Sequence, residues 1–355
     1  MKIHKNLFDE IVSTENLFLA WDKFKNGKRN KKDVQLFEWN LEENIFRLSR
    51  DLKDKTYKHG AYHSFNIKDP KPRNIHKAQV RDRILHHAVF RILNPIFEPS
   101  FVSASFSCRE GYGTHKGVQY LQDTLRKATQ NGKVSCFTLK CDIKKFFDTI
   151  DHDTLLSILK KKIKDENTIW LLKHIISSFS SNYSLMGIEK GVPIGNLTSQ
   201  LFANIYLGEL DRFIKQELKV KYYLRYTDDF LIISENKGYL EKTLPPIVSF
   251  LQEKLYLKIH DEKTKIQKTS QGVDFLGYVV FNKYKLVRTK TRKRIFRKFK
   301  MKIENYIGGK ISKNSLSQSL QSYLGFLCHG ESSFVEEAFK KNFLKAVANR
   351  SLDII

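Results

Sequence analysis

Apolar positions follow two different periods along this chain, and the change of period separates helical from extended segments. Through the first 60 residues, and again from Val80 to Phe97, apolar side chains recur every three or four positions, which predicts helices. Between Val134 and Asp142 they alternate instead, which predicts a strand. Its core face would carry Phe137, Leu139 and Cys141, and its other face, toward a cleft, would carry Thr138, Lys140 and Asp142.

A second extended segment has two adjacent acids in its middle. In KYYLRYTDDFLII, residues 221–233, aromatic and aliphatic side chains flank Asp228 and Asp229 on both sides. This pattern predicts a hairpin with the acids at its tip. Paired carboxylates repel each other and lie close to apolar surface there, so they are costly unless a cation binds them.

The remaining patterns predict an α+β fold with helices behind an antiparallel sheet. A loop from Lys68 to Arg73 separates the first helices from the next one, and the chain has no internal repeat and no low-complexity linker. The later elements are a helix starting near Asp151, a helix with one apolar face from Leu201 to Ile214, a helix around Tyr239 to Leu255 and a strand from Asp274 to Val280.

The charge of the chain indicates a polyanionic partner. Its 355 residues include 63 Lys and Arg against 38 Asp and Glu, a formal net charge of +25. Ten basic residues and no acid occur from Lys285 to Lys302, around an apolar helical stripe. A soluble basic protein without a nucleic-acid role would not require this clustering. The segment is therefore expected to be a helix whose basic face contacts phosphates.

Other features of the sequence predict the cellular compartment of the protein. No apolar run approaches the roughly 20 residues of a membrane span, and no signal peptide is visible, so no membrane association is expected. The four cysteines show neither Cys-x-x-Cys pairing nor histidines at zinc spacing. They are typical of small apolar residues in a reducing compartment, which predicts a cytoplasmic protein.

The three acids together predict a metal centre. Two strands that each present a carboxylate, here Asp142 on one and the Asp228–Asp229 pair on the other, can hold two Mg²⁺ ions, with Mn²⁺ as an alternative. Two such ions are used for in-line displacement at phosphorus. With the basic surface, this arrangement points to a nucleic-acid polymerase.

Four motifs occur in the order found in reverse transcriptases. They are CDIKKFFD from Cys141, GVPIGNLTSQ from Gly191, RYTDDF from Arg225 and FLGY from Phe275. Over roughly residues 15–330, the chain resembles bacterial reverse transcriptases related to group II intron enzymes. At Ile194 and at Ser199-Gln200 it departs from the usual motif, and there it is similar to the reverse transcriptases of diversity-generating retroelements.

The resemblance implies an RNA-directed DNA polymerase that uses a primer and dNTPs to copy a template RNA into cDNA, with errors at adenines. It also implies a small basic accessory protein as a partner. The implied fold is a right hand: an N-terminal helical extension and fingers (1–105), a palm (106–285, with a fingers insertion near 155–190) and a helical basic thumb (286–355). A role in antiphage defence stays open, as does a non-catalytic RNA-binding protein on the same scaffold.

The resemblance assigns roles to the acids and to one lysine. Asp142 and Asp228, with the backbone carbonyl of Ile143, match the family's metal ligands. Asp229 matches the second acid of the pair, with a weaker and partly electrostatic role. Lys263 matches a lysine that protonates the leaving pyrophosphate.

The nucleotide pocket is implied by a further group of residues. Phe147 matches the sugar gate, a bulky ring that excludes a ribose 2′-hydroxyl, and Phe146 is the alternative. Ile194 precedes Gly195 where the family has an amide that hydrogen-bonds to the nucleotide. Losing one hydrogen bond costs about 0.5–1.5 kcal/mol, which predicts lower fidelity.

Basic and aromatic side chains complete the implied site. Arg73 and one of Arg81 and Arg83 would bind the triphosphate, because a guanidinium donates bidentately to phosphate oxygens. The run Arg81-Asp82-Arg83 can equally form an internal ion pair. The FLGY motif from Phe275 matches the primer grip, which steadies the 3′ end.

Overall fold

The N-terminal part of the chain is a helical bundle joined to a small hairpin. The computed structural model describes residues 3–69, 71–184, 188–330 and 333–352. The predicted helix from Val80 to Phe97 is confirmed with those bounds, and Ile84, Leu85, Ala88 and Val89 on its apolar stripe are fully buried. The elements are α1 (Phe8–Val12), α2 (Thr14–Lys25), α3 (Lys32–Trp39), α4 (Leu41–Lys53), β1 (His63–Ile67), β2 (Arg73–Lys77) and α5 (Val80–Phe97).

The predicted loop at Lys68–Arg73 is the turn of the β1–β2 hairpin, although Pro70 lies outside the described residues. The two strands pair antiparallel from His63 opposite Lys77 to Ile67 opposite Arg73. The hairpin was not predicted, because its strands are mostly exposed and lack the apolar alternation of a half-buried strand.

A four-stranded antiparallel sheet forms the centre, as the sequence predicts. Its strands are β3 (Phe137–Asp142), β4 (Tyr222–Tyr226), β5 (Asp229–Ser234) and β6 (Lys265–Lys268), in the spatial order β4-β5-β3-β6. The expectation that Thr138 faces a cleft is wrong: Thr138 and Leu139 are both fully buried, since β5 and β6 flank this central strand and the helix Lys237–Lys254 packs against it. The short, lysine-containing edge strand β6 was missed.

Helices pack behind this sheet. They are α6 (Thr114–Ala128), α7 (Phe146–Thr149), α8 (His152–Lys162), α9 (Glu166–Ser177), α10 (Leu197–Arg212) and α11 (Lys237–Lys254). Asp151 caps α8, since its carboxylate accepts a hydrogen bond from the Thr154 amide at 2.8 Å, and the predicted helix start is confirmed. The helix α10 has more than the single apolar face expected, because α5 and α8 pack against it and most of its residues are buried.

The last part of the chain is a small sheet followed by three helices. The single strand expected from Asp274 to Val280 is instead a tight hairpin, because Leu276 and Gly277 adopt positive φ values of 51° and 91° and reverse the chain. The elements are β7 (Val273–Phe275), β8 (Tyr278–Val280), β9 (Lys285–Val287), α12 (Thr289–Ile307), α13 (Lys313–Leu327) and α14 (Ser333–Leu352).

The basic helix α12 meets the β1–β2 turn across the molecule. Asp69 forms ion pairs with Lys298 and with Arg294, whose Nε lies 3.8 Å from the carboxylate. Ile295 and Phe299 of its apolar stripe are buried, as predicted. In the described ranges, no helix has the length and apolar character needed to cross a bilayer.

Candidate active site

The three aspartates meet at one end of the central sheet. Asp142 is the last residue of β3, and the strand register places it directly opposite Asp229, the first residue of β5. Asp228 lies in the turn between β4 and β5, and its backbone carbonyl accepts a hydrogen bond from the Ile143 amide at 3.2 Å. The hairpin and the strand predicted from the sequence therefore bring together the carboxylates that the motifs single out.

The surroundings of Asp228 and Asp229 disfavour the negative charge of these two side chains. Burial, together with the charges of Asp142 and Asp229, raises the pKa of Asp228 to about 6, and the Arg73 guanidinium opposes this shift. Burial also raises the pKa of Asp229. Within the described residues, Asp229 Oδ1 is buried without a hydrogen-bond partner. A cation bound at this place would relieve both costs.

Two lysines face the acids. The Lys263 ammonium donates to Asp142 Oδ1 at 2.6 Å, so Lys263 lies at the site, as expected. The Lys140 ammonium is 3.9 Å from Asp229 Oδ1 and donates to the Asp274 carbonyl at 2.9 Å. No role was predicted for Lys140, although the strand alternation places it on the same face as Asp142.

The side chains at this place suit an open divalent-ion site better than a closed one. Across residues 3–69, 71–184, 188–330 and 333–352, no group of three or more His, Cys, Asp or Glu side chains is arranged to hold a metal ion. Mg²⁺, however, is commonly bound by one or two carboxylates together with substrate phosphates and water, without a closed protein cage. Hard oxygen donors, including an Asp229 oxygen that accepts no hydrogen bond, fit this mode of binding.

The predicted phosphate-binding arginines are separated. Arg73 is close enough to the carboxylates to influence the pKa of Asp228. Arg81 instead pairs with Asp51, and Arg83 with Asp33 at 2.7 Å, so both guanidinium groups hold the N-terminal helices.

Asp82, between the two arginines, pairs with neither of them. Its carboxylate accepts hydrogen bonds from the Tyr57 hydroxyl at 2.7 Å and from the Gly60 amide at 3.1 Å. The alternative interpretation, an ion pair within the run Arg81-Asp82-Arg83, is therefore wrong: both arginines form ion pairs, but with carboxylates of α3 and α4.

The residues implied to form the nucleotide pocket lie in two segments, Phe146–Phe147 and Ile194–Gly195. Phe146 is buried against Tyr206, whereas Phe147 is only partly buried. The Ile194 carbonyl accepts a hydrogen bond from the His76 amide at 3.0 Å, which ties this loop to β2. Gly195 has φ +118°, and a Cβ atom there would lie 2.9 Å from Ile75 Cγ2, so the position requires glycine.

The segment that matches a primer grip presents a turn, not aromatic rings. Phe275 and Tyr278 are fully buried, and the Tyr278 hydroxyl donates to the Phe326 carbonyl at 2.8 Å. Only the Leu276–Gly277 turn between them is partly exposed. Any contact of this motif with a primer would therefore involve the turn.

Comparison with known proteins agrees with this geometry. Residues 65–280 match the family model described as "Reverse transcriptase (RNA-dependent DNA polymerase)". The group II intron-encoded protein LtrA of Lactococcus lactis is 26% identical over 347 residues, covering 79% of this chain and 54% of LtrA. Protein YkfC of Escherichia coli is 25% identical over 238 residues, covering 58% of this chain and 62% of YkfC. The chain thus spans about half the length of LtrA.

Solved structures give the same answer for the fold. A structure of telomerase from Candida albicans in complex with a TWJ fragment of telomeric RNA superposes with a TM-score of 0.51 and 13% identity. It covers 83% of this chain and 58% of the telomerase chain. At this identity the similarity establishes a shared fold.

Proposed function

Because the chain belongs to the reverse transcriptase (RNA-dependent DNA polymerase) family, we propose that it is an RNA-directed DNA polymerase that extends a primer on a template RNA. The observation that carries the proposal is the register of Asp142 opposite Asp229, with Asp228 in the adjoining turn. This places three carboxylates where phosphoryl transfer needs negative ligands for cations.

Members of this family use divalent metal ions. Asp142, Asp228 and the backbone carbonyl of Ile143 would hold Mg²⁺ or Mn²⁺ here, with Asp229 acting mainly through its charge. Such ions lower the pKa of a primer 3′-hydroxyl and neutralise the phosphates of the incoming dNTP. Lys263, which donates a hydrogen bond to Asp142, would protonate the leaving pyrophosphate.

The chain's own side chains would bind and select the nucleotide. Arg73 is the arginine available for the triphosphate, because Arg81 and Arg83 have carboxylate partners. Phe147 would exclude a ribose 2′-hydroxyl. Ile194 and Gly195 would line the nucleotide on the side of the hairpin.

The polymerase hand is proposed with the boundaries expected from the sequence. Residues 1–105 would be the N-terminal extension and fingers, 106–285 the palm with an insertion near 155–190, and 286–355 the thumb. The basic helix α12 would contact the sugar-phosphate backbone of the template RNA and of the primer or cDNA strand.

Ile194 and Ser199-Gln200 support the finer proposal of an error-prone enzyme of a diversity-generating retroelement, working with a small basic accessory protein. The apolar Ile194 side chain offers the nucleotide no hydrogen bond. An antiphage-defence role is the alternative for the same catalytic core. The two are separated by the genes beside this one: a variable-protein gene with a near-identical repeat favours the retroelement.

Primer extension on a heteropolymeric RNA template, with dNTPs and Mg²⁺, tests the polymerase. Asp228→Asn should abolish extension, and Asp261→Asn, an exposed aspartate, should leave it unchanged. No extension by the wild type would favour a non-catalytic RNA-binding protein, and full extension by Asp228→Asn would refute the role of Asp228 as a metal ligand.

Sequencing of the cDNA tests the fidelity proposal. The wild type should show errors concentrated at template adenines, and Ile194→Gln should reduce them. The matched control is Ile188→Gln, at a half-exposed position. An error spectrum at adenines that Ile194→Gln leaves unchanged would refute the role of Ile194.

A further inference from the structure

A buried polar network lies directly beneath the turn that carries Asp228. Its centre is Arg225 on β4, whose side chain is 0% exposed and forms an ion pair with Asp211 of α10, 1% exposed. The pairing is bidentate, with Nε donating to Oδ1 at 2.8 Å and Nη2 donating to Oδ2 at 2.7 Å. The Tyr223 hydroxyl also donates to Asp211 Oδ1 at 2.6 Å. The guanidinium is therefore fixed from below.

The remaining guanidinium nitrogen reaches the turn. Arg225 Nη1 donates to the Thr227 carbonyl at 3.0 Å, and Asn204 Oδ1 lies 3.4 Å away as a second acceptor. The Thr227 hydroxyl donates to Ser107 Oγ at 2.6 Å. Thr227 is thus held at its carbonyl and at its side chain, immediately before Asp228.

Thr227 needs this support because its backbone is strained. Its φ is +54°, a left-handed conformation that is unfavourable for a β-branched residue. This conformation turns the chain between β4 and β5 and directs the carboxylates toward Asp142. Without the hydrogen bonds to its carbonyl and hydroxyl, the turn would relax toward ordinary φ values.

We infer that Arg225 is a positioning residue of the polymerase: it holds the Thr227 turn, and through it the Asp228 carboxylate, in the geometry needed for catalysis. A guanidinium suits this role because it can bind Asp211 with two nitrogens and still donate a third hydrogen bond. A lysine ammonium has one nitrogen and cannot span Asp211 and Thr227 in the same way. The inference rests on the proposed polymerase activity, but the conformational part of it does not.

The test compares Arg225→Lys with Tyr223→Phe. Both change the partners of Asp211, but only Arg225→Lys removes the hydrogen bond to the turn. Amide hydrogen exchange of the peptide covering residues 226–230 should become faster in Arg225→Lys and stay at the wild-type rate in Tyr223→Phe. This measurement is independent of activity, so it stands even if the proposed polymerase function fails.

Kinetics give the second readout. In Arg225→Lys, kcat for primer extension should fall about 10- to 100-fold, the range for a displacement near 1 Å, while KM for dNTP stays within about twofold. Ser107→Ala, which removes the partner of the Thr227 hydroxyl, should show the same pattern more weakly and provides the test if Arg225→Lys does not fold. Two results would overturn the inference. One is amide exchange of the turn at the wild-type rate in both Arg225→Lys and Ser107→Ala, and the other is a loss of kcat in Tyr223→Phe as large as that in Arg225→Lys.

Discussion

The pair Arg225–Asp211 makes a quantitative prediction about stability. Asp211 accepts three hydrogen bonds at 2.6–2.8 Å and is the counter-ion of a guanidinium that has no exposed surface. In Asp211→Asn, the charge of Arg225 stays buried without compensation, which costs about 3–5 kcal/mol. For a chain of 355 residues, the melting temperature should therefore fall by roughly 4–7 °C.

The same physics predicts recovery when the charges are removed together. Replacing a whole buried ion-pair network with apolar residues of similar size is often neutral. The triple variant Asp211→Leu, Tyr223→Phe, Arg225→Met should therefore regain most of the stability lost in Asp211→Asn. Its polymerase activity should stay low, because nothing then holds the Thr227 carbonyl.

Thermal and denaturant unfolding of the wild type, Asp211→Asn, the triple variant and the exposed control Asp261→Asn measure these differences. The control should lie within about 0.5 kcal/mol of the wild type. A loss below about 1 kcal/mol in Asp211→Asn, or a triple variant as unstable as Asp211→Asn, would refute the argument from an uncompensated buried charge.

Three further predictions concern other parts of the protein. Burial lowers the pKa of His86 to about 3, so below pH 6.5 the unfolded chain binds a proton that the folded chain does not. The free energy of unfolding should therefore fall below pH 6.5 by up to about 1.4 kcal/mol per pH unit. In unfolding measurements His86→Gln should lack this pH-dependent component, whereas the exposed control His174→Gln should keep it. Phe147→Ala should raise NTP incorporation about tenfold in extension assays. Phe146→Ala should mainly lower the free energy of unfolding, by about 3–5 kcal/mol. Equal NTP use by the wild type and Phe147→Ala would contradict the role of Phe147 as sugar gate. Asp69→Asn should raise the affinity for primed RNA a few-fold, measured by fluorescence anisotropy at low salt, because the Asp69 carboxylate competes with phosphates for the basic side chains of α12. An unchanged affinity, or a gain in affinity that persists at high salt, would contradict this.

Local sequence patterns were sufficient for the elements whose residues face one core. The helix α5 was predicted with its bounds, because a helix with one buried face must place apolar residues every three or four positions. The strand ending at Asp142 and the hairpin carrying Asp228 and Asp229 were also predicted. The alternation of apolar residues gave a wrong prediction at Leu276 and Gly277, because it continues through a chain reversal. It gave no prediction for the β1–β2 hairpin, because those strands are mostly exposed.

The candidate site shows a similar division. The motifs identified Asp142, Asp228, Asp229 and Lys263, and these residues lie together in the structure. Which arginine is available could not be predicted, since Asp33 and Asp51 are far from Arg83 and Arg81 in sequence and become partners only when the N-terminal helices pack.

The sequence by itself determined the class of fold, the family and the carboxylates, because apolar periodicity and short motifs are local properties of the chain. Tertiary structure alone decided that Arg225 lies beneath the Thr227 turn and bonds to Asp211, a residue 14 positions earlier on another element. Burial, charge compensation and hydrogen-bond geometry depend on which surfaces meet. These quantities are set when the sheet and helices pack, and they have no signature in the order of residues.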